Sequence, residues 1–383
     1  MNSLFLSPVP LNNCKITDGV RIRAKGMLSA LERAGQVSML AFHDDSGAGG
    51  DVPLPTKPEK WERLLSPTPS LIRCFRSDEF AKEVNERSRA CDLCFCCGLQ
   101  MMQYASHLPN KIPVVLDNFN VESDILERLA DRRTGAKRLY WRLQASKLRR
   151  FERWAIQRAD RIIAISDADR KRFTDLYPGC AAVTVPPGLE LDFYFNYPKT
   201  TPIPTRMVFV AALNWHVNID AALWMSNEVF PKILAEFPDA TLDLVGKSPA
   251  SSVMALDEKP GISVYPNVPD VLSYLARASV VVVPLRYGSG VQTKVIEAMA
   301  IGRPVVTTSV GAEGLKVTTG HELLVADDSD SFARVCLDLL SNEGSRRTFS
   351  LSAREAARHY TRDRLFSDMQ SLITGIIREP IHA

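Results

Sequence analysis

The chain has 383 residues, 45% apolar, 24% charged and 8% aromatic, with 47 basic against 44 acidic residues for a formal charge of +3. That length accommodates two or three domains with closed cores, and so small a charge excludes a dominant nucleic-acid-binding field. The start of the chain lacks the basic segment and small-residue cleavage site of a signal peptide, and no apolar run approaches the roughly 20 residues of a membrane span, so a cytoplasmic location is expected. The charge is nevertheless uneven: 14 Lys or Arg and 4 Asp or Glu lie between Arg132 and Arg172, which leaves −7 for everything else.

In chain order, Ser3 to Ser7 reads as a strand and Arg21 to Arg33 as a helix with apolar Ile22, Met27, Leu28 and Leu31. Further strands are expected at Val37–Phe42, Leu71–Phe75, Asp92–Cys97, Pro113–Leu116 and Arg161–Ile165, with helices between most of them. The stretch from Asp44 to Pro69, rich in Gly and Pro, reads as loop. Cys91, Cys94, Cys96 and Cys97 crowd into one apolar run. They read as reduced thiols of a buried strand, because a structural zinc site needs a second ligand pair and none follows. A long helix is predicted over 136–158, with Tyr140, Leu143, Leu148, Phe151 and Trp154 on one side and Arg138, Arg142, Arg149 and Arg153 on the other. Such a basic amphipathic helix could dock on an anionic membrane surface; the competing reading is that its apolar stripe packs inward and its arginines are hydrated. No aromatic platform interleaves the basic face, so nucleic acid is not expected as a partner.

The Pro- and Thr-rich segment 197–205 is the strongest linker signal. Beyond it, strands at Met207–Ala211, Thr241–Val245, Ile262–Tyr265, Val280–Leu285 and Val305–Thr308 alternate with helices near Ile219–Phe237, Val271–Ala278 and Thr293–Ala300; helical patterns at Ser331–Leu340, Ser345–His359 and Arg364–Arg378 close the chain. This alternation implies an α/β protein of two doubly wound domains, 1–197 and 198–360, with the C-terminal helix of 361–383 able to pack back on the first. Ligands of such sheets bind at the carboxyl ends of the strands, so a cleft between the two domains is expected to hold the site.

The densest chemistry is the run from Val283 to Ala300, VPLRYGSGVQTKVIEAMA. An apolar strand enters a loop with Gly288 and Gly290, and a helix starts at once. Glycines let backbone amides turn toward a ligand, and the helix end adds its free amides and positive dipole, a combination suited to a pyrophosphate. Lys294 in the first turn could add a cation, and Glu297, three residues on, shares its face and could accept two hydrogen bonds from a ribose diol. An ordinary βα turn with a surface ion pair is the alternative that these residues alone leave open.

The run YGSGVQTKVIEAMAIGRPVVTTSVGAEGL resembles the donor-site segment of the family-4 retaining glycosyltransferases of the GT-B fold, also called glycosyl transferases group 1. AALNWHVNIDAALWM, LDLVGKSP and NVPDVLSYLARASVVVVPL extend the resemblance, and DGVRIRAKGMLSAL and ADRIIAISDADRKRF carry it more loosely into the first half. The resemblance implies two Rossmann-like domains facing across a cleft, with a nucleoside-diphosphate sugar held by the second. It implies transfer of the sugar, with retention and without a metal or other cofactor, to a hydroxyl of a glycan, glycolipid or other acceptor, as in polysaccharide biosynthesis. Glu297 matches the second carboxylate of the family's E-x7-E signature, and Gly288, Ser289, Gly290 and Val291 its diphosphate loop. Ser289 stands where the first carboxylate would be, so Lys294 is expected to take a share of the diphosphate. Asn214, His216, Asn218 and Arg286 are further donor-side candidates. On the acceptor side the candidates are Asp18, Gly19 and Arg23. The matching strand ends carry no histidine, so no histidine base is expected, and Asn118 and Glu122 join Lys294 and Glu297 as catalytic candidates. Asp44-Asp45 and Asp327-Asp328 read as solvated loop pairs, not metal ligands. The departures from the signature also motivate a second reading, a catalytically reduced nucleotide-sugar-binding protein of the same fold. An epimerase would need acid–base groups around the sugar that are not found. A dehydrogenase would need a complete dinucleotide fingerprint. Peripheral attachment at the cytoplasmic membrane face through 136–158 is the expected partner surface besides donor and acceptor.

Overall fold

Short β-branched runs alternating with amphipathic ones build two parallel sheets, each covered by helices. The computed structural model describes residues 1–11, 19–43, 49–56, 58–288 and 290–378. The chain divides into two units, the first Met1–Leu189 with Arg362–Ala383 and the second Glu190–Thr361.

The first unit runs β1 (Asn2–Ser7), α1 (Gly19–Ala34), β2 (Gln36–Ala41), α2 (Lys60–Leu65), α3 (Ser70–Arg73), α4 (Asp78–Ser88), β3 (Leu93–Cys97), a 3-10 turn (Leu99–His107), β4 (Val114–Asp117), α5 (Glu122–Asp131), α6 (Gly135–Arg158), β5 (Arg161–Ala164), α7 (Asp167–Leu176) and β6 (Ala182–Thr184). Its sheet has the order β2-β1-β3-β4-β5-β6, every pair parallel. Strands buried on both faces must be apolar throughout, and β3, LCFCC, is buried at every position. Alternation sends Cys94 and Cys96 into the core on one face and Cys97 into the core on the other. These thiols are therefore strand packing, as the apolar run suggests.

The run Leu71–Phe75 is not the strand that its composition suggests. Ser70–Arg73 forms α3, with Ile72 fully buried. The backbone amide and hydroxyl of Ser70 both donate to Gln144 Oε1 at 3.0 Å, so this turn is fastened to α6 and not to a sheet edge. The wheel drawn for 136–158 also changes. The helix forms over almost the expected range, but Gln144, Ala145, Leu148, Glu152, Ala155 and Ile156 make its buried face. Arg138 and Arg142 reach Asp131, at 3.6 and 3.3 Å, and Arg149 reaches Glu127 at 2.7 Å. The expected free arginine stripe is thus turned largely onto α5.

The second unit runs α8 (Leu191–Phe195), β7 (Arg206–Val210), α9 (His216–Trp224), α10 (Phe230–Glu236), β8 (Thr241–Gly246), α11 (Ser251–Met254), β9 (Ile262–Pro266), α12 (Leu272–Arg277), β10 (Val280–Val283), α13 (Thr293–Ala300), β11 (Val305–Thr307), β12 (Leu324–Val325), α14 (Ser329–Ser341) and α15 (Glu343–Ala357). A π-turn at Met225–Val229 joins α9 to α10 just before Pro231, which has no N–H to give to a regular ladder. The sheet order is β12-β11-β10-β7-β8-β9, all parallel. Counted within the unit this is the 6-5-4-1-2-3 order of a Rossmann sheet, whose connections reverse direction between β7 and β10. After α15 the chain returns to the first unit as α16 (Arg362–Arg378), where Leu365, Met369 and Ile373 join the core beneath α1. No helix among the described residues is long and apolar enough to cross a membrane.

Candidate functional site

In the second unit, the strand order alone selects the place. Crevices of doubly wound sheets open outside the carboxyl ends of the strands where the order reverses, here between the loops that leave β7 and β10. The loop after β10 holds Gly288 at φ 134° and Gly290 at φ 77°, both in the region that favours glycine. Val291 follows buried, and α13 begins with no side chain capping its first amides. The expected turn, open helix end and face of Lys294 and Glu297 are therefore all present, while Ser289 lies outside the described residues.

Lys294 Nζ donates to Asn218 Oδ1 at 2.8 Å, and Asn218 Nδ2 donates to the carbonyl of Ala212 at 2.9 Å. The amide of Asn218 thus has a fixed sense: its nitrogen is held by the β7–α9 loop and its oxygen aims the ammonium. Burial lowers Lys294 to about 8, with Glu297 opposing the shift. Burial also raises Glu297 to about 7, against the Tyr194 hydroxyl and Lys294. The Tyr194 hydroxyl donates to Glu297 Oε1 at 3.2 Å. Tyr194 is absent from the sequence reading; it comes from α8, more than a hundred positions from Glu297, and no local pattern marks it.

The other donor-side candidates take structural roles at the same edge. Arg286 forms a two-pronged pair with Asp220, Nε to Oδ2 at 2.9 Å and Nη2 to Oδ1 at 2.6 Å, which fastens the β10 loop to α9. The Tyr287 hydroxyl donates to the His216 carbonyl at 3.0 Å, and His216 Nδ1 lies 3.1 Å from the same hydroxyl, with the two rings stacked. Asn214 is exposed in the β7–α9 loop, next to Trp215, which is also exposed. Asn218 is therefore a holder of Lys294 in this structure, and Arg286 and His216 brace the two loops. Asp327 and Asp328 are likewise engaged: Asp327 accepts from Ser309, and Asp328 caps α14.

In the first unit the order reverses between β1 and β3. Gly19 opens α1, whereas Asp18, with the rest of residues 12–18, lies outside the described residues. Arg23, which by its place in the helix could hold an anionic acceptor group or stand solvated, is instead 2% exposed and committed to Asp117, itself 0% exposed. Its Nε lies 3.0 Å from both carboxylate oxygens, its Nη2 2.6 Å from Oδ1, and its Nη1 donates to Val185 O at 3.0 Å. The reason is positional: one turn into α1, the guanidinium lies over the end of β4, not in solvent. Beside Asp117, the side chain of Asn118 is buried at the carboxyl end of the sheet, and neither its Oδ1 nor its Nδ2 has a hydrogen-bond partner among the described residues. Glu122, at the start of α5, is raised to about 7 by burial and then by the neighbouring Glu152, with Asn120 opposing. Glu152 itself is fully buried and holds that helix start: it accepts from the Glu122 amide at 3.1 Å, the Ser123 hydroxyl at 2.6 Å and the Tyr177 hydroxyl at 2.7 Å. The strand-end polar candidates Asn118 and Glu122 both follow β4, and the carboxylate that holds the Glu122 amide, Glu152, was not visible in the sequence.

Comparison with known proteins bears on both units. Residues 204–342, which lie within the second unit, match the family model described as Glycosyl transferases group 1. Among curated proteins, a protein in the cps region of Klebsiella pneumoniae is 26% identical over 169 residues, 42% of this chain and 43% of that protein. A D-inositol 3-phosphate glycosyltransferase of Kineococcus radiotolerans is 26% identical over 245 residues, 54% of either chain. The chain spans about half the length of the curated relatives it matches. Among solved structures, sucrose-phosphate synthase from Thermosynechococcus elongatus superposes with a TM-score of 0.72 at 15% identity, over 99% of this chain and 100% of that one. Anabaena HepE, in complex with UDP and glucose, gives 0.65 at 15% identity, over 97% and 99%. At such identities the likeness establishes the fold, which is that of the GT-B glycosyltransferases.

Proposed function

We propose that this chain is a retaining glycosyltransferase that moves a hexosyl group from a nucleoside-diphosphate sugar to a hydroxyl of a glycan, glycolipid or other acceptor, without a metal ion. The observation that carries the reading is the convergence, at the reversal point between β7 and β10, of the Gly288–Gly290 turn, the open end of α13, Lys294 and Glu297. Backbone amides and one lysine would meet the diphosphate, and Glu297 would accept from the ribose diol in place of the Tyr194 hydroxyl.

The chemistry follows from where charge develops. Breaking the sugar–phosphate bond leaves negative charge on the diphosphate, and preorganised donors at that point lower the barrier. In one-face transfer the departing phosphate oxygen takes the proton of the attacking hydroxyl, so the protein positions two reactants and needs no histidine base. Asn118, whose amide is unpaired among the described residues, and Glu122, whose pKa is raised to about 7, would be the groups of the first unit offered to the acceptor.

A thermal-shift panel of UDP-, GDP- and ADP-sugars, each with and without a chelator, tests the donor claim. One nucleotide is expected to raise the melting temperature, by about 2.7 kcal/mol of linkage at a hundredfold excess over Kd, with no loss when chelator is present. UDP-glucose is the first to try, since HepE is known in complex with it. Stabilisation by none of them would remove the donor site, and binding without transfer or donor hydrolysis would favour the catalytically reduced reading.

Donor affinity is also expected to peak between about pH 7 and 8. Lys294 must be protonated to face a diphosphate, so affinity falls as pH rises through about 8. Glu297 must be ionised to accept two hydroxyls, so affinity falls as pH drops through about 7. Calorimetric titration of the preferred nucleotide across this range reads both limbs. Glu297→Gln should flatten the acid limb and, because the Glu297 charge holds the Lys294 pKa up, move the basic limb to lower pH; an unchanged acid limb in that variant would take Glu297 out of the site.

A further inference from the structure

Among the described residues, five of the nine exposed large apolar side chains of the first unit lie on α2 and the first half of α6. Trp61, Leu64 and Leu65 of α2 are 60%, 49% and 74% exposed, and Leu139 and Leu143 of α6 are 72% and 37% exposed. The two helices are joined at this point: Gln144 Nε2 donates to the carbonyl of Arg63 at 2.8 Å, and Lys147 Nζ donates to that of Leu64 at 2.7 Å. Leu139, Leu143 and Lys147 follow at intervals of four along one face of α6, so its two exposed leucines lead to the end of α2. A soluble surface normally places charge at such protruding positions, and contiguous large apolar groups on it mark an interaction site.

The charge around the patch tells which kind. The α2 segment is itself balanced, Lys60 and Arg63 against Glu59 and Glu62, with the Trp61 indole donating to Glu59 at 2.7 Å, so the excess comes from α6 and the turn before it: from Arg132 to Arg150 there are eight Lys or Arg and no Asp or Glu. Two carboxylates of α5 meet Arg138, Arg142 and Arg149. With α5 included, residues 122–150 still carry nine basic against four acidic residues. A second copy of this chain would bring the same positive field against itself, which disfavours self-association through this face. Protruding Trp and Leu beside excess Lys and Arg are what an anionic lipid interface accommodates: the apolar groups enter the acyl boundary and the cations remain among the headgroups.

We propose that α2 and the N-terminal half of α6 form a membrane-docking surface for anionic lipid, with Trp61, Leu64 and Leu65 as the inserted wedge. Arg138, Arg142 and Arg149 of the α6 stripe are not the anchor, because they are engaged with α5. The proposal rests on the transferase reading only for its purpose, which is to bring the enzyme to a lipid-borne acceptor.

The full chain should co-sediment with vesicles of phosphatidylcholine containing about a third phosphatidylglycerol, and not with phosphatidylcholine alone. Trp61→Ser/Leu65→Ser should lower that partitioning at least about tenfold, although every cation is retained, because each inserted Trp or Leu contributes severalfold by itself. Both positions are on the surface, so the variant should melt as the parent does and bind nucleotide equally well. Tryptophan emission should shift to the blue on the anionic vesicles in the parent chain and lose that shift in Trp61→Phe. Equal sedimentation of parent and double variant, or equal recovery of the parent with both lipids, would overturn the proposal. A fall in oligomeric size on the double substitution would overturn it in favour of a protein interface. Nucleotide binding by the same preparations separates failure of the docking surface from failure of the donor site.

Discussion

Replacing Lys294 by methionine is expected to lower kcat/KM by a factor on the order of 10²–10³ while leaving the protein at least as stable as before. The two halves of that expectation come from one fact. The lysine is surrounded by protein to the point that its pKa falls to about 8. A group whose folded pKa lies below its unfolded one makes folding harder wherever the charged form dominates. That cost is present in full below about pH 8 and disappears as pH rises past the unfolded value. At neutral pH the chain therefore holds this cation at a cost, with Asn218 aiming it. Methionine fills the space without the charge, so the melting temperature should stay or rise. Transfer should slow, since the charge that would develop on a diphosphate held there loses the Lys294 cation. A variant retaining turnover within about threefold would place the diphosphate elsewhere. Lys294→Arg separates charge from shape: the planar guanidinium cannot take the ammonium's place beside Asn218, so nucleotide binding should recover more than kcat.

The parts of this site that were legible in the sequence are those coded within a few residues. A glycine turn, a helix start and two side chains on one helical face need only local spacing, and the chain delivers them between Gly288 and Glu297. What was not legible depends on pairs brought together by the sheet. Asn218 could be named as polar at a strand end, but only the placement of α9 against α13 makes it the holder of Lys294. Tyr194 carried no signal at all, because its hydroxyl meets Glu297 through α8, a five-residue helix. The strand order was recoverable in kind, since alternating β and α runs force parallel strands. The three-residue β6 and two-residue β12 are too short to show periodicity. Leu71–Phe75 failed for the opposite reason: a short apolar run fits a buried strand or a buried helical turn equally well, and the bond from Ser70 to Gln144 decided it.

Arg23 was misread for a reason that leads to the second large effect. Its helical position put it near an acceptor, but the partner that claims it, Asp117, lies 94 residues away on β4. Both groups are essentially without solvent. Burial raises the Asp117 carboxyl above its usual range while the guanidinium pulls it back, so neither charge is tolerable without the other. Asp117→Ala is accordingly expected to destabilise by about 3–5 kcal/mol, because it strands a buried guanidinium. For a unit of this size that corresponds to a fall of about 6–20 °C in its melting temperature. Arg23→Met/Asp117→Leu removes both charges and should recover most of the loss, since well-packed apolar replacements of a buried pair are often neutral. Calorimetry of the whole chain, with the nucleotide present to mark the second unit's transition, assigns the change to the first unit. If Arg23 instead served an acceptor anion, Asp117→Ala would leave melting unchanged and Arg23→Met would raise the acceptor KM alone. The double variant decides between these accounts, because a lost contact to substrate cannot be restored by deleting a second charge, whereas a stranded charge can.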